Sequence, residues 1–230
     1  MTMVLDTETP ESSMTPERSM TPDELLTTTR SVRRRLNLSE AVDLALVKEC
    51  IEIALQAPNG GNRQRWGWVV VADAGLRAEI GTVYRRAFER RYPPNLDLGD
   101  EALPEARTVH SGRYLATHLH EVPVLVIPCL RVPDGLLPEG NQAGLWGSLL
   151  PATWSYMLAA RARGLGTAWT SVHLDAEQEV ADLLGLPDGV RQGALIPTAH
   201  VLGTGFRRGA RIPVKSVLHL DGWAEGGWDA

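Results

Sequence analysis

The 230-residue chain is poor in cysteine, with only Cys50 and Cys129, and poor in aromatic residues, which make up 6% of it. Cys50 lies in a helical pattern and Cys129 in an apolar run. Neither has the partner spacing of a disulfide framework or a zinc site, so both read as buried thiols. No window approaches the roughly 18 to 20 consecutive apolar residues of a membrane span, and the polar N-terminus lacks the charged-then-apolar layout of a secretion signal. The expectation is a cytoplasmic protein with no membrane partner. Positive charge is also in deficit: 23 Lys plus Arg stand against 28 Asp plus Glu, a formal net charge of -5. Nucleic acid, which normally meets a basic excess on one face, is therefore not an expected partner.

Several catalytic signatures are missing as well. There is no Gly-x-x-x-x-Gly-Lys, and no strand followed by Gly-x-Gly-x-x-Gly and a helix. Gly164-x-Gly166 follows a helical pattern and precedes a strand, the reverse of a dinucleotide fingerprint. Ser148, Ser155 and Ser171 lack the Gly-x-Ser-x-Gly elbow of a hydrolase. His118-x-His120 has no third ligand at metal spacing, so no metal site is expected. No side chain stands out as a catalytic nucleophile or acid.

What is present is the length and balance of one compact domain with extensions. Met1, Met3, Met14 and Met20 fall among Thr, Ser, Glu and Pro in the first twenty residues. Such a stretch buries too little apolar surface to offset its ordering entropy. Residues 1–20 are thus expected to be a disordered tail, and residues 21–230 a single domain with a C-terminal extension. The unit Ser13-Met14-Thr15-Pro16-Glu17-Arg18 repeats once as Ser19 to Glu24. Its second copy reads as a helix start, with Thr21 as N-cap, Pro22 at the first position and Glu24 closing a capping box.

Apolar residues at three- and four-residue steps predict a helix from Asp43 to Ala57, stopped by Pro58 and a turn at Asn59-Gly60-Gly61-Asn62. A strand buried on both faces is expected over Trp68 to Ala72, and a helix over Leu76 to Arg91. Residues 92 to about 110, with Pro93-Pro94, Gly99 and Pro104, read as an irregular, lid-like stretch. Val122 to Leu130 reads as a strand whose Pro123 and Pro128 suggest an edge or a bulge. A central helix over Leu145 to Arg163 ends at Gly164. Thr167 to Val172 reads as a strand, Ala176 to Leu184 as a short helix, and Gly193 to Gly203 as another strand. Irregular alternation of this kind indicates a mixed sheet with helices packed around it.

Three stretches remain that suit an anion or a ring. Arg30-Ser31-Val32-Arg33-Arg34-Arg35 offers guanidinium forks and a hydroxyl for a phosphate. Ala57 to Trp66 is a tight turn bearing amides before a strand. Arg207-Arg208-Gly209-Ala210-Arg211-Ile212-Pro213 is a basic segment near the C-terminus. Taken singly, each is also what a solvated loop or a plain helix-to-strand connection contains.

Taken together, and with Leu158 to Thr167 as a fourth motif, they resemble the nitroreductase-like flavoprotein family from about residue 28 to residue 223. The family pattern is Arg-Arg-Ser-x-Arg, then Ala-Pro-Ser-x-x-Asn-x-Gln-x-Trp, then a long helix ending Ala-Ala-Arg-x-Leu-Gly-Leu-Gly-Thr, then a basic Arg-x-Pro. The resemblance implies an α+β, three-layer fold with a mixed central sheet surrounded by helices. It also implies a homodimer, FMN at the subunit interface, and NAD(P)H as the reductant of a small-molecule acceptor such as a nitroaromatic or a quinone. Carried over residue by residue, Arg30, Ser31 and Arg33 hold the phosphate and the polar edge of the flavin, with Arg211 as a second phosphate fork. Pro58, Asn59, Gly60 and Asn62 of the other subunit pack on the ring and its side chain, and Trp169, Thr170 and Ser171 approach the flavin N5. Three positions depart from the pattern: Thr29 replaces its first Arg, Asn59 its Ser, and Gly209 a common Lys, whose place Arg207 or Arg208 can take. Trp169 can either narrow the acceptor site or point into the core. Arg85, Arg86 and Arg107 are candidates for a nicotinamide 2'-phosphate. Within the same scaffold the alternatives are a specialised reductive dehalogenase or enal reductase, and a flavin-sequestering protein without turnover.

Overall fold

The computed structural model describes residues 20–101, 103–132 and 135–223. Of the expected tail only Met20 falls among them. Five strands form one sheet: β1 (Trp66–Val71), β2 (Val124–Arg131), β3 (Leu165–Thr167), β4 (Val190–Gln192) and β5 (Ile196–His200). The order is β1-β2-β5-β3, with β4 also on β2, and every strand pair is antiparallel. The parallel component of the expected mixed sheet shrinks to a single bridge, Ser31 to Thr167.

Among the described residues there are six α-helices packed around the sheet or on one another: α1 (Pro22–Thr28), α2 (Leu44–Ala54), α3 (Ala74–Arg91), α4 (Pro104–His118), α5 (Ala143–Ala162) and α6 (Glu177–Leu184). The alternation of side chains along β2 sorts them into layers. Val124 and Val126 join Cys50, Ala54, Tyr156 and Met157 in a core beneath α2 and α5. Leu125 and Ile127 turn the other way, to Ile80, Tyr84, Phe88 and Leu115 of α3 and α4. The architecture is α+β in three layers. Among the described residues no helix is long and apolar enough to cross a membrane.

Local sequence sets the helix ends. Thr21 and Glu24 form the full capping box, Asp43 Oδ1 accepts from the Ala45 N–H at 2.8 Å, and Gly164 adopts a left-handed φ of 78° just after α5. Gly166 meets a different need. A Cβ there would lie 2.7 Å from Val201 and 3.2 Å from Leu36, so only glycine lets the 32–36 segment cross the sheet at this point.

Three expectations need correction. The stretch read as irregular from 92 to 110 gives way at Pro104 to helix α4, whose buried stripe is Ala106, Val109, Gly112, Leu115 and Ala116. That stripe is narrow and contains a glycine, which blurred its period. β1 is an edge strand, half-buried and with Val70 exposed, rather than covered on both faces. β2 is the central strand rather than an edge: β5 pairs with Val124 to Val126 and β4 with Cys129 to Arg131, and the register shifts by one residue between them, the bulge that its prolines suggest as the alternative. Pro128 falls in the gap between those partners, where no N–H is required of it and its carbonyl accepts from the Gly193 N–H at 2.9 Å.

Candidate functional site

Arginines near the start of the domain fasten a segment near its end. Arg35 donates to the carbonyls of Leu202 at 2.8 Å and Thr204 at 3.2 Å, and its guanidinium lies over the Phe206 ring, 4.4 Å from the centroid. Arg161 of α5 lies 4.6 Å from the same centroid, so Phe206 is held between two cations. Arg30 donates from Nε to the Arg207 carbonyl at 2.8 Å, and from Nη2 to the same oxygen. These bonds bring residues 207–211 to Arg30. There a methyl group on Gly209 would collide with Nη1 of both Arg30 and Arg211. The two guanidiniums therefore converge over a bare Cα.

They open into a cleft of about 1240 Å³. Its far wall is α4, which presents Arg107, His110, Ser111 and Tyr114 at the i, i+3, i+4, i+7 spacing of one helical face. Arg34 lies over the Tyr114 ring, 5.9 Å from its centroid, and Arg208 completes the basic lining. Five guanidiniums and one carboxylate, that of Glu101, border the cleft. Among the described residues none of the five arginines is in a salt bridge. Within a protein of net charge -5, positive charge is concentrated in one concavity, which is an arrangement for binding an anion.

The residues singled out in the sequence are distributed as follows. Arg30 and Arg211 face one another in the cleft. Ser31 lies behind them, its Oγ accepting from the Trp169 N–H at 3.3 Å. Arg33 is turned to α4, where Nη1 donates to Ser111 Oγ at 3.3 Å. Trp169 is partly buried and packs against the α2/α5 core. Thr170 is buried, its hydroxyl 2.8 Å from the Tyr84 hydroxyl and its N–H bonded to the Leu195 carbonyl, so none of its polar groups is free for a ligand. Ser171 is exposed. Of the three arginines considered for a 2'-phosphate, Arg107 lines the cleft, Arg86 is paired with Glu179, and Arg85 lies exposed on α3.

The proline turn lies elsewhere. Asn59 and Gly60 line a separate pocket of about 320 Å³ with Asn141 and Ser148. Gly60 donates to Ser148 Oγ at 2.9 Å, while Asn59 Oδ1 accepts from the Gln64 N–H at 3.0 Å. Asn62 and Gln64 hold φ of 51° and 49°, a local strain that these amide bonds stabilise. Pro58 is exposed beside it. The two pockets share no lining residue. The α4 face was not legible in the sequence except through Arg107. Its signal, Arg107-x-x-His110-Ser111-x-x-Tyr114, emerges only once the segment is known to be helical.

Titration is perturbed mainly by burial away from the cleft. Burial raises the Tyr84 hydroxyl above its usual range, against the opposing bond from Thr170. It also raises the thiols of Cys50 to about 11 and Cys129 to about 12, which keeps both protonated. His173 is fully buried with neither ring nitrogen partnered, and burial lowers it to about 4.

Comparison with known proteins gives the family and the fold. Residues 26–200 match the model of the nitroreductase family. The chain is 32% identical over 155 residues to 5,6-dimethylbenzimidazole synthase of Rhodospirillum rubrum, covering 63% of this chain and 66% of that protein. Among solved structures, a BluB-like flavoprotein from Clostridium difficile superposes with a TM-score of 0.66 at 20% identity, over 87% of this chain and 99% of its own. Iodotyrosine deiodinase bound to FMN and 3-iodo-L-tyrosine superposes with a TM-score of 0.63 at 21% identity, over 82% and 95%. The family match takes in the first three motifs in chain order and the five strands of the sheet, and ends before the basic Arg207–Pro213 segment; the chain belongs to the nitroreductase family.

Proposed function

We propose that the protein is an FMN-dependent oxidoreductase that takes reducing equivalents from NAD(P)H and passes them to an electron-poor acceptor such as a nitroaromatic or a quinone. The observation that carries this reading is the convergence of Arg30 and Arg211 over Gly209. Their Nη1 atoms lie no more than about 5 Å apart, where two like charges repel by about 1 kcal/mol in water and about 3 kcal/mol at an effective dielectric of 20. A phosphate between them removes that repulsion and adds charge-assisted hydrogen bonds. Glycine at 209, in place of the lysine of the family pattern, leaves room for both heads. The residues fit a flavin mononucleotide phosphate. FMN, when bound, supplies the hydride chemistry, and the protein's tasks are to bind and orient it.

Arg30 and Arg211 hold the phosphate in this reading. Ser31 steadies the backbone at Trp169, and the exposed Ser171 offers a hydrogen-bond donor beside it. Arg33, bonded to Ser111, fixes α4 against the 30–36 segment rather than meeting the phosphate. The turn at Pro58, Asn59, Gly60 and Asn62 lines its own pocket, so it reaches the cleft only from a second copy of the chain. The reading therefore includes a homodimer with the site at its interface.

Purified full-length protein is expected to be yellow, or to take up added FMN, and NADPH or NADH is expected to bleach it anaerobically. Arg211→Ala should weaken FMN retention by about 1.5 to 3 kcal/mol, through loss of a charge-assisted hydrogen bond. Protein that neither contains nor takes up flavin would sink the proposal, whereas binding without bleaching would make it a sequestering protein. A panel of nitroaromatic, quinone, haloaromatic and enal acceptors then separates a generalist from a specialised relative.

A further inference from the structure

The cleft holds more positive charge than one phosphate requires. A phosphate monoester carries about two negative charges at neutral pH, and the Arg30–Arg211 pair matches it. Arg34, Arg107 and Arg208 remain, against the single carboxylate of Glu101. Two of these are placed by α4 rather than by the pair. Arg107 is on the first turn of α4, and Arg34 lies over Tyr114 seven residues further along the same helix. His110 sits between them on that face and is exposed, as are Arg34 and Arg107. The N-terminus of this 15-residue helix opens at the same place: Pro104 lines the cleft, and the preceding Leu103 supplies no side-chain cap. Its free N–H groups add to the positive potential.

We infer that Arg34, Arg107 and His110 form a second oxyanion subsite in the cleft. It takes a carboxylate or phosphate on the molecule that exchanges electrons at this site, and it is separate from the Arg30–Arg211 pair. The inference deepens the flavoenzyme reading by naming the substrate class as anionic. Arg34 is held over the Tyr114 ring and Arg107 is carried by the first turn of the same helix, so both heads border the cleft along the α4 face with His110 between them. Two sources share this chemistry: an acidic acceptor, and the 2'-phosphate of the nicotinamide donor.

Calorimetric titration of the full-length protein distinguishes them without turnover. The probes are 4-nitrobenzoate against 4-nitrobenzamide, and 2'-phospho-ADP-ribose against ADP-ribose. The wild type should bind the member of at least one pair that carries the additional carboxylate or 2'-phosphate about tenfold or more tightly than the member that lacks it, the gain of one charge-assisted contact. The pair that shows the preference identifies the source. Arg34→Gln/Arg107→Gln should abolish the preference while its flavin absorbance per chain stays that of the wild type. Equal affinities within both pairs in the wild type, or a preference that survives the double substitution, would overturn the inference. So would loss of flavin from the variant, since these arginines would then belong to the cofactor phosphate. A wild type that carries no flavin yet prefers the probes bearing the additional anionic group would reject the flavoenzyme reading and leave the subsite standing.

Discussion

His173 illustrates how one side chain can set a response of the whole protein. Burial holds its imidazole at about 4, against 6.5 for the free group. Between those values the unfolded chain takes up a proton that the native protein excludes. The stability contributed by the neutral ring is complete above about pH 6.5, declines as pH falls, and is gone below about pH 4. At pH 4.5 the loss amounts to about 2.5 kcal/mol, from 1.36 kcal/mol per pKa unit. His173→Leu should lose less stability than the wild type by about that amount when denaturant unfolding at pH 7 and pH 4.5 is compared. Equal losses would mean that the ring is protonated in the native state without cost. Nothing in the sequence marks His173, because burial of a lone histidine depends on what packs around it. Arg30 and Arg211 are the opposite case. Their chemistry is legible from residue type and motif, and only the 2.8 Å bond from Arg30 to the Arg207 carbonyl reveals that Arg30 also anchors the loop it faces.

At the scale of elements, α4 matters most, since it carries the far wall of the cleft. It packs on α3 through Gly112, where a Cβ would stand 2.9 Å from the Phe88 ring. Gly112→Ala adds helix propensity of about 1 kcal/mol but overpacks a contact at a cost of about 1 to 3 kcal/mol. A net loss of up to about 2 kcal/mol is expected, read as a lower thermal midpoint. Unchanged or greater stability would show that Phe88 yields easily. α1, α2, α3, α5 and α6 were legible because caps and apolar periods agree: Thr21 and Glu24, then Asp43, then the glycine that ends α5. α4 was missed because its stripe contains Gly112 and its first turn follows a proline-rich stretch. The strand expected over Thr167 to Val172 lies at Leu165–Thr167 instead, and β5 is shorter than the expected Gly193 to Gly203, because a strand extends only as far as its partner pairs with it.

For the whole molecule, the separation of the two pockets makes a quantitative prediction about assembly. If Asn59 and Gly60 complete the cleft of a second copy, light scattering should give twice the chain mass. The C-terminal stretch also exposes Ile212, Val214 and Trp223, the last at 89%, an apolar surface suited to cover by another chain. Mixing Arg211→Ala protomers with Pro58→Ala/Asn59→Ala protomers should restore about a quarter of the wild-type sites, because half of random dimers are mixed and each mixed dimer has one intact site. A monomer, or no recovery on mixing, would place both halves of the site within one chain.

The sequence by itself determined the caps at Thr21, Asp43 and Gly164, the existence of five helices, the basic character of the two segments that meet at the cleft, and the order of motifs that marks the family. These depend on neighbours in the chain or on residue type, and both are written locally. Tertiary structure alone decided that Pro128 sits in a central strand, that Thr170 bonds to Tyr84, that Arg33 serves α4, and that Arg34, Arg107 and His110 share a cleft with Arg30 and Arg211. Each of these depends on which distant group comes within about 3 to 6 Å, the range over which hydrogen bonds and ring contacts act. That distance is set by how the layers pack. The net charge of -5 shows the same division: composition fixes the total, and the fold concentrates five arginines at one opening.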